Sequence, residues 1–366
     1  MKKSQLFYNP DAKSSLRVST LTLVAVLSTV STGLTQESVS SELRTEAGLP
    51  SNQIVATIPL GLNVFASALV VSPDSKTIYV ASFTTTGGLV TIIDSQSNTV
   101  TDTIPVAGSA DFLAITPDGS NLYVGNTGGL NVPTSVYVIS TASKTVTATI
   151  QLSAPDSLAM SPSGKEVYIT DPDHKAVSII ETATNTLIPD AIRVGGVSEQ
   201  IAVAPNGKSA YVSTGSNFVA AVDLATNKVI AKIPLPPSND LPLFLAFSPD
   251  SRKIYLNRRK RVLVVDTSSN TITRRILMPI TQGGRNNAAG QTAITPDGQF
   301  LYVPYAAGNT VAMLNTVTNQ AAGNQISINY PEAVAVAPTQ PFAYALGAMP
   351  GNGVEYAVYV INISPE

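Results

Sequence analysis

Four carboxylates occupy one recurring position in this 366-residue chain. Asp111, Asp156, Glu199 and Glu332 each stand six residues before a proline that is followed, after six more, by a tyrosine. Carboxylates that converge on one axis can hold a hard divalent cation, calcium or magnesium, through oxygen. Alternatively they raise one another's pKa and serve as acid or base. In the other three copies of the pattern the position holds Ser67, Leu243 and Gly290. An aligned position need not aim its side chain at an axis, so the four also read as separate, solvated residues at strand starts.

A second recurring position lies three residues after each tyrosine and holds Ser82, Asn126, Asp171, Thr214, Arg258, Tyr305 and Gly347. A varied polar ring of this kind is what a specific ligand pocket needs. Asp171 opens the string Asp171-Pro172-Asp173-His174, which contains the only histidine of the chain. His174 could act as a general base or contribute one metal ligand; Asp-Pro-Asp is equally the chemistry of a plain surface turn. Arg258-Arg259-Lys260-Arg261 is the one charge run. With Arg274, Arg275 and the loop Gly283-Gly284-Arg285-Asn286-Asn287 it could hold phosphate, a carboxylate or single-stranded nucleic acid. Little aromatic interleaving accompanies it, Tyr305 being the nearest candidate, and a solvated basic loop is the plainer reading.

Composition removes several chemistries. There is no cysteine, hence no thiol nucleophile and no disulfide, and one histidine cannot build a multi-histidine metal site. A net charge of −2 with 13% charged residues makes nonspecific nucleic-acid binding no default. No Gly-x-Ser-x-Gly, Cys/His pair or phosphate-loop motif is present.

The elements that must position these residues follow from the repeat itself. The pairs are Pro73/Tyr79, Pro117/Tyr123, Pro162/Tyr168, Pro205/Tyr211, Pro249/Tyr255, Pro296/Tyr302 and Pro338/Tyr344. The period, about 44 residues, is that of a four-stranded blade. In the first copy Ala68–Ser72 reads as a strand buried on both faces, and Pro73-Asp74-Ser75 as a turn. Thr77–Ser82, Leu89–Asp94 and Thr99–Pro105 are three more strands, with Gly87-Gly88 marking a loop. The fold class is therefore all-β, a seven-bladed β-propeller of antiparallel four-stranded blades. The last repeat stops after its third strand, Tyr356–Ile363, whereas Asn52–Pro59 matches fourth strands such as Asn98–Pro105. The N-terminal strand is expected to complete the last blade. The seven tyrosines are expected in the core between blades.

The first residues have the pattern of an export signal. Lys2, Lys3, Lys13 and Arg17 precede the apolar, hydroxyl-rich stretch Leu21–Val30, and small residues follow at Ser31-Thr32-Gly33. The stretch is too short for a membrane span. The expected organisation is a signal peptide over 1–33, a flexible lead-in over 34–50 and the propeller over 51–366, with the mature protein exported, monomeric and free of any membrane span.

The strings Ser72-Pro73-Asp74, Ile78-Tyr79-Val80-Ala81-Ser82, Thr116-Pro117-Asp118-Gly119, Leu122-Tyr123-Val124-Gly125-Asn126 and Ser161-Pro162-Ser163-Gly164 resemble the YVTN-type β-propeller repeat. The resemblance spans all seven repeats. It implies a surface-layer or periplasmic protein with a binding role, and more distantly lactonases, a lyase and electron-transfer subunits. The expected function is recognition of a protein partner or small-molecule ligand at the loop face around the central channel. That face would carry Asp111, Asp156, Glu199, Glu332, Asp171, His174, Asn126, Arg258 and Tyr305. Two alternatives stay open. One is a lactonase- or lyase-like enzyme using the channel-mouth carboxylates and a divalent cation. The other is binding of single-stranded nucleic acid or an anionic polymer through the blade-five basic loop.

Overall fold

The computed structural model describes residues 48–129, 132–215, 217–236, 244–258, 260–279, 290–323, 325–351 and 355–365. The proposed leader, most of the lead-in, Leu243, Arg259 and the loop 283–287 lie outside the described residues.

Seven antiparallel sheets follow one another along the chain. Blade one comprises Phe65–Val71, Thr77–Thr84, Gly87–Asp94 and Thr99–Val106, hydrogen-bonded in that order. Blades two to six repeat the scheme, and in blade six the outer strand is split into Gln320–Ala321 and Ile326–Ser327. Among the described residues no helix is long and apolar enough to cross a membrane.

The repeat explains the strands. Second and third strands are β-branched and apolar on both faces, and both faces are buried, as in Thr77–Thr84 and Ser135–Ser140. Outer strands such as Thr99–Val106 are exposed except near their ends, where Ile104 and Val106 turn inward. The turn after each inner strand is set by Pro, and in blades one, two, five and six also by an Asp that accepts from the preceding hydroxyl. Ser72 Oγ donates to Asp74 at 2.6 Å, Thr116 Oγ1 to Asp118 at 2.5 Å and Ser248 Oγ to Asp250 at 2.6 Å. These bonds favour the ionised carboxylate, so the Asp118 carboxyl sits down at about 2.

Seven apolar clusters hold the blades together, one at each junction. Each contains a repeat tyrosine of the earlier blade, as with Tyr123 between blades two and three. Three of these tyrosines also reach into the next blade. Tyr123 donates to Asn185 Oδ1 at 3.0 Å, Tyr211 to Asn270 Oδ1 at 2.5 Å and Tyr302 to Asn52 Oδ1 at 2.7 Å.

The last blade has the order Gln53–Leu62, Glu355–Asn362, Phe342–Ala348, Asn329–Val336 from outside to inside. The strand from the start of the chain is its outer strand, with Ile58 opposite Val358. Asn52 takes the same left-handed backbone, φ 53°, as Asn98, Asn185, Asn227, Asn270 and Asn319 in the turns before the other outer strands. Asparagine tolerates that conformation because its short amide bonds locally. The seventh cluster then joins Ile58, Tyr344 and Val358 of this blade to Leu69, Ile78 and Ile93 of blade one.

One local expectation changes. Thr84 pairs with Gly87, so the loop is Thr85-Thr86 and both glycines belong to the third strand. Gly88 is there because the linker to blade two passes close: a Cβ on it would lie 2.8 Å from the Ser109 carbonyl carbon.

Closure through Ile58 is testable. Ile58→Ala should cost about 2–4 kcal/mol in denaturant unfolding, whereas Ile54→Ala, at a residue 40% exposed, should cost under about 0.5 kcal/mol. Equal, small effects would contradict packing of this strand into the seventh junction.

Candidate functional site

The inner strands of six blades surround a cavity of about 390 Å³ at the central channel. Ser67 and Ala68, Asp111 to Leu113, Ser157 and Leu158, Gln200 and Ile201, Phe244 and Leu245, and Gln291 and Thr292 line it, together with Thr127 from a hairpin of blade two. The lining sits mainly five and four residues before the repeat proline, not six. Strand side chains alternate, so a shift of one residue changes the face. Phe112, Gln200, Phe244 and Gln291 are thus the residues that the sixth position missed, although the strict repeat gives them by one further step.

The wall is stitched across blades. Ser67 Oγ donates to the Ala110 carbonyl at 3.0 Å. Ser157 Oγ donates to Gln200 Oε1 at 3.2 Å, and Thr170 Oγ1 to the Glu199 carbonyl at 2.7 Å. Gln291 Nε2 reaches the Leu69 carbonyl at 3.0 Å, joining blade six to blade one. Blades six and seven also share a parallel bridge, Gln291 with Ala333. Gly290 makes this approach possible, since a Cβ there would lie 1.7 Å from the Glu332 carbonyl oxygen. That close approach is why the chain has no side chain at this copy of the sixth position.

The four carboxylates are not brought together. Asp111 Oδ2 accepts from the Thr127 amide at 2.9 Å and its hydroxyl at 2.8 Å. Glu332 Oε1 accepts from the Tyr356 hydroxyl at 2.9 Å. Asp156 and Glu199 do feel one another: burial pushes both carboxyls up, and the Asp156 charge pushes Glu199 up further. Burial also raises Glu332, partly offset by its bond from Tyr356. Among the described residues, no three of these carboxylates come close enough to share a metal ion. Asp111 and Glu332 thus follow their own strand ends to local partners, while Asp156 and Glu199 stay within reach of one another's charge.

The second ring is corrected as well. Ser82, Asn126, Asp171, Thr214, Arg258, Tyr305 and Gly347 are all buried. They lie on strands sandwiched between neighbouring blades, and Asn126 and Arg258 tie loops down. Asn126 Oδ1 accepts from the Ser109 and Gly128 amides at 2.9 and 2.8 Å. Arg258 Nη1 donates to the Pro236 carbonyl at 2.6 Å. Tyr305 is wholly buried in the cluster between blades five and six. Arg258 is thus withdrawn from the basic run, and it pairs in register with Arg261 across the hairpin. Arg274 and Arg275 lie on the outer strand Thr271–Leu277, away from the channel.

His174 stands in the hairpin of blade three with its ring half exposed. Its Nδ1 is 2.8 Å from Asp171 Oδ2, 3.1 Å from Ser153 Oγ and 3.6 Å from Asp190 Oδ1. The bond with Asp171, then its charge, holds the imidazole pKa up. This is no hydrolytic triad. Serine and aspartate both meet Nδ1, whereas a relay needs them on opposite ring nitrogens. Ser153 and Asp190 were not legible as partners of His174 from sequence.

Comparison with known proteins follows the fold. No protein-family model matches the chain. It is 28% identical over 294 residues to the uncharacterized protein YwhL of Bacillus subtilis, covering 67% of this chain and 61% of that one. It is 26% identical over 283 residues to the seven-bladed beta-propeller protein Rv1057 of Mycobacterium tuberculosis, covering 75% and 64%. The chain thus spans less than two thirds of the length of these curated relatives. Among solved structures it is similar to hydrazine synthase of Kuenenia stuttgartiensis, with a TM-score of 0.68, 19% identity, and coverage of 91% of this chain and 100% of that chain. It is also similar to the Cps50 (Swd1) β-propeller domain of Myceliophteria thermophila, with a TM-score of 0.67, 11% identity, and coverage of 85% and 100%. Identities this low show the fold alone.

Glu199 carries a pH prediction. Its Oε2 is shut from solvent without a hydrogen-bond partner. A carboxyl with a raised folded pKa contributes stability below its unfolded value, near 4.5, and loses it as pH rises through the folded value. Glu199→Gln should therefore stabilise the protein at pH 7 by about 1 kcal/mol, discounted for a half-exposed group. The gain should fade as pH drops toward 4.5. Thermal unfolding of both proteins across that range checks it; a loss of stability at pH 7 would contradict the burial of an uncompensated charge.

Proposed function

We infer that this chain is a YVTN-type binding propeller whose ligand seats in the mouth of the central channel. The observation that carries the reading is the cavity lined by six blades, whose lining includes the aromatic Phe112 and Phe244 and the carboxamide-bearing Gln200 and Gln291. Apolar walls with a few fixed polar groups are the general character of small-ligand sites. The amide ends are held by neighbouring strands, so they are pre-organised and lose little freedom on binding. The match is to an uncharged partner presenting an apolar group next to a peptide-like one: a loop of a protein partner, or an amphipathic small molecule.

The two other readings have less support. A lactonase- or lyase-like mechanism through the mouth carboxylates needs them to converge, and Asp111 and Glu332 are each engaged by partners of their own. Binding of nucleic acid through blade five needs the guanidinium of Arg258, which is buried and given to a backbone carbonyl.

N-acetyl-phenylalaninamide and short uncharged peptides serve as probes. They should shift the side-chain amide signals of Gln200 and Gln291 in NMR spectra of the full chain. Phe112→Ala with Phe244→Ala should weaken binding at least tenfold, a combined loss of about 1.4 kcal/mol or more. Shifts elsewhere, or equal binding by the double variant, would sink the channel-mouth site.

A further inference from the structure

Blade three departs from its siblings in one place. Its outer strand is Thr186–Arg193, and the stretch Asn185–Ile192 is one residue longer than Asn98–Ile104, Asn227–Ile233 and Asn270–Ile276. The extra residue falls in a bulge where pairing jumps from Ile179–Ile188 to Val177–Ile192. Within that bulge Asp190 takes a left-handed backbone, φ 50°, and its carboxylate is carried back to His174 in the inner hairpin of the same blade. Bulges commonly re-aim a side chain at functional places.

We propose that Asp171, His174 and Asp190 form a binding site for one first-row transition-metal dication, zinc being the reference ion. The inference is independent of the channel-mouth reading. His174 Nδ1 is 2.8 Å from Asp171 Oδ2 and 3.6 Å from Asp190 Oδ1, and all three donor atoms lie within 4.8 Å of one another. A tetrahedral zinc ion bound at about 2.0–2.2 Å keeps its donors about 3.3 Å apart, a value that lies between the two distances. Side-chain rotations that also close the Asp171–Asp190 gap, at most 4.8 Å, bring all three donors to that spacing. The imidazole selects zinc and its neighbours over calcium and magnesium, which prefer oxygen alone.

The two carboxylate ligands are also held from behind. The His174 amide donates to Asp171 Oδ1 at 3.1 Å, so Oδ2, which also accepts from Ser153 Oγ, is the oxygen turned to the ring nitrogen. Arg193 lies 3.7 Å from Asp190 Oδ2, leaving Oδ1. Such outer partners fix ligand orientation. Ser153 Oγ, 2.5 Å from Asp171 Oδ2 and 3.1 Å from Nδ1, supplies a further oxygen from the linker between blades two and three. The half-exposed imidazole gives the ion a way in. Binding joins the linker, the inner hairpin and the outer-strand bulge.

The single histidine makes the test direct, because its ring signals are unambiguous. The full chain is titrated with zinc chloride by calorimetry and by NMR of the imidazole. The wild type should bind one ion and show the shift pattern of an Nδ1-bound ring. His174→Asn and Asp190→Asn should each weaken binding at least tenfold while leaving the thermal midpoint without zinc nearly unchanged, since both residues lie outside the apolar core. If Asp190→Asn fails to fold, Asp190→Glu, one methylene longer, should still weaken binding. Magnesium should leave the imidazole signals unmoved. Absence of zinc binding, binding that survives the His174 and Asp190 substitutions, or an unmoved imidazole on zinc addition would each overturn the site.

Discussion

A blade of this protein cannot exist alone, and that constraint orders everything else. Its second and third strands are apolar on both faces, so each sheet needs a neighbour on either side. Six junctions follow from chain order. The seventh must bring the two ends of the sequence together, and it does so with one strand, Gln53–Leu62, laid against Glu355–Asn362. The asparagine turn, the apolar face around Ile58 and the hydroxyl of Tyr302 all serve that closure.

The same packing explains where sequence reasoning succeeded and where it stopped. The blades were legible because Pro and Tyr mark the same turn and the same strand seven times. The last blade's outer strand was legible because Asn52–Pro59 carries the pattern of Asn98–Pro105. The site was harder. A polar residue on a second strand reads as available, yet the sandwich buries both faces of that strand, so Asn126, Asp171 and Arg258 become latches for loops. At the inner strands an offset of one residue separates wall from lining, and alignment alone does not say which parity faces the axis. Glu332 and Tyr356 meet through the fold of one blade, a contact no spacing rule reveals. Asp190 left a fainter mark, a single added residue in one outer strand, whose meaning appears only once the bulge is seen to point at His174.

Two kinds of place remain after the repeat has been accounted for. The channel mouth is common to the architecture and is individualised by Phe112, Phe244, Gln200 and Gln291. The blade-three cluster is an addition to the repeat, built from a bulge and a hairpin. Both lie where copies differ, and both rest on strands fixed by neighbours. Rigid strands hold side chains more tightly in place than free loops do. Burial of Asp156 and Glu199 near the mouth costs stability, a cost that a closed ring of seven apolar interfaces can absorb.

The most direct test of the account is native-state hydrogen exchange of the closing strand. Amides of Gln53–Leu62 that pair with Glu355–Asn362 should exchange together with those of the last blade's inner strands, through the same cooperative opening. Exchange of Gln53–Leu62 at the rate of an unstructured peptide, while the remaining blades stay protected, would contradict a ring closed by the start of the chain.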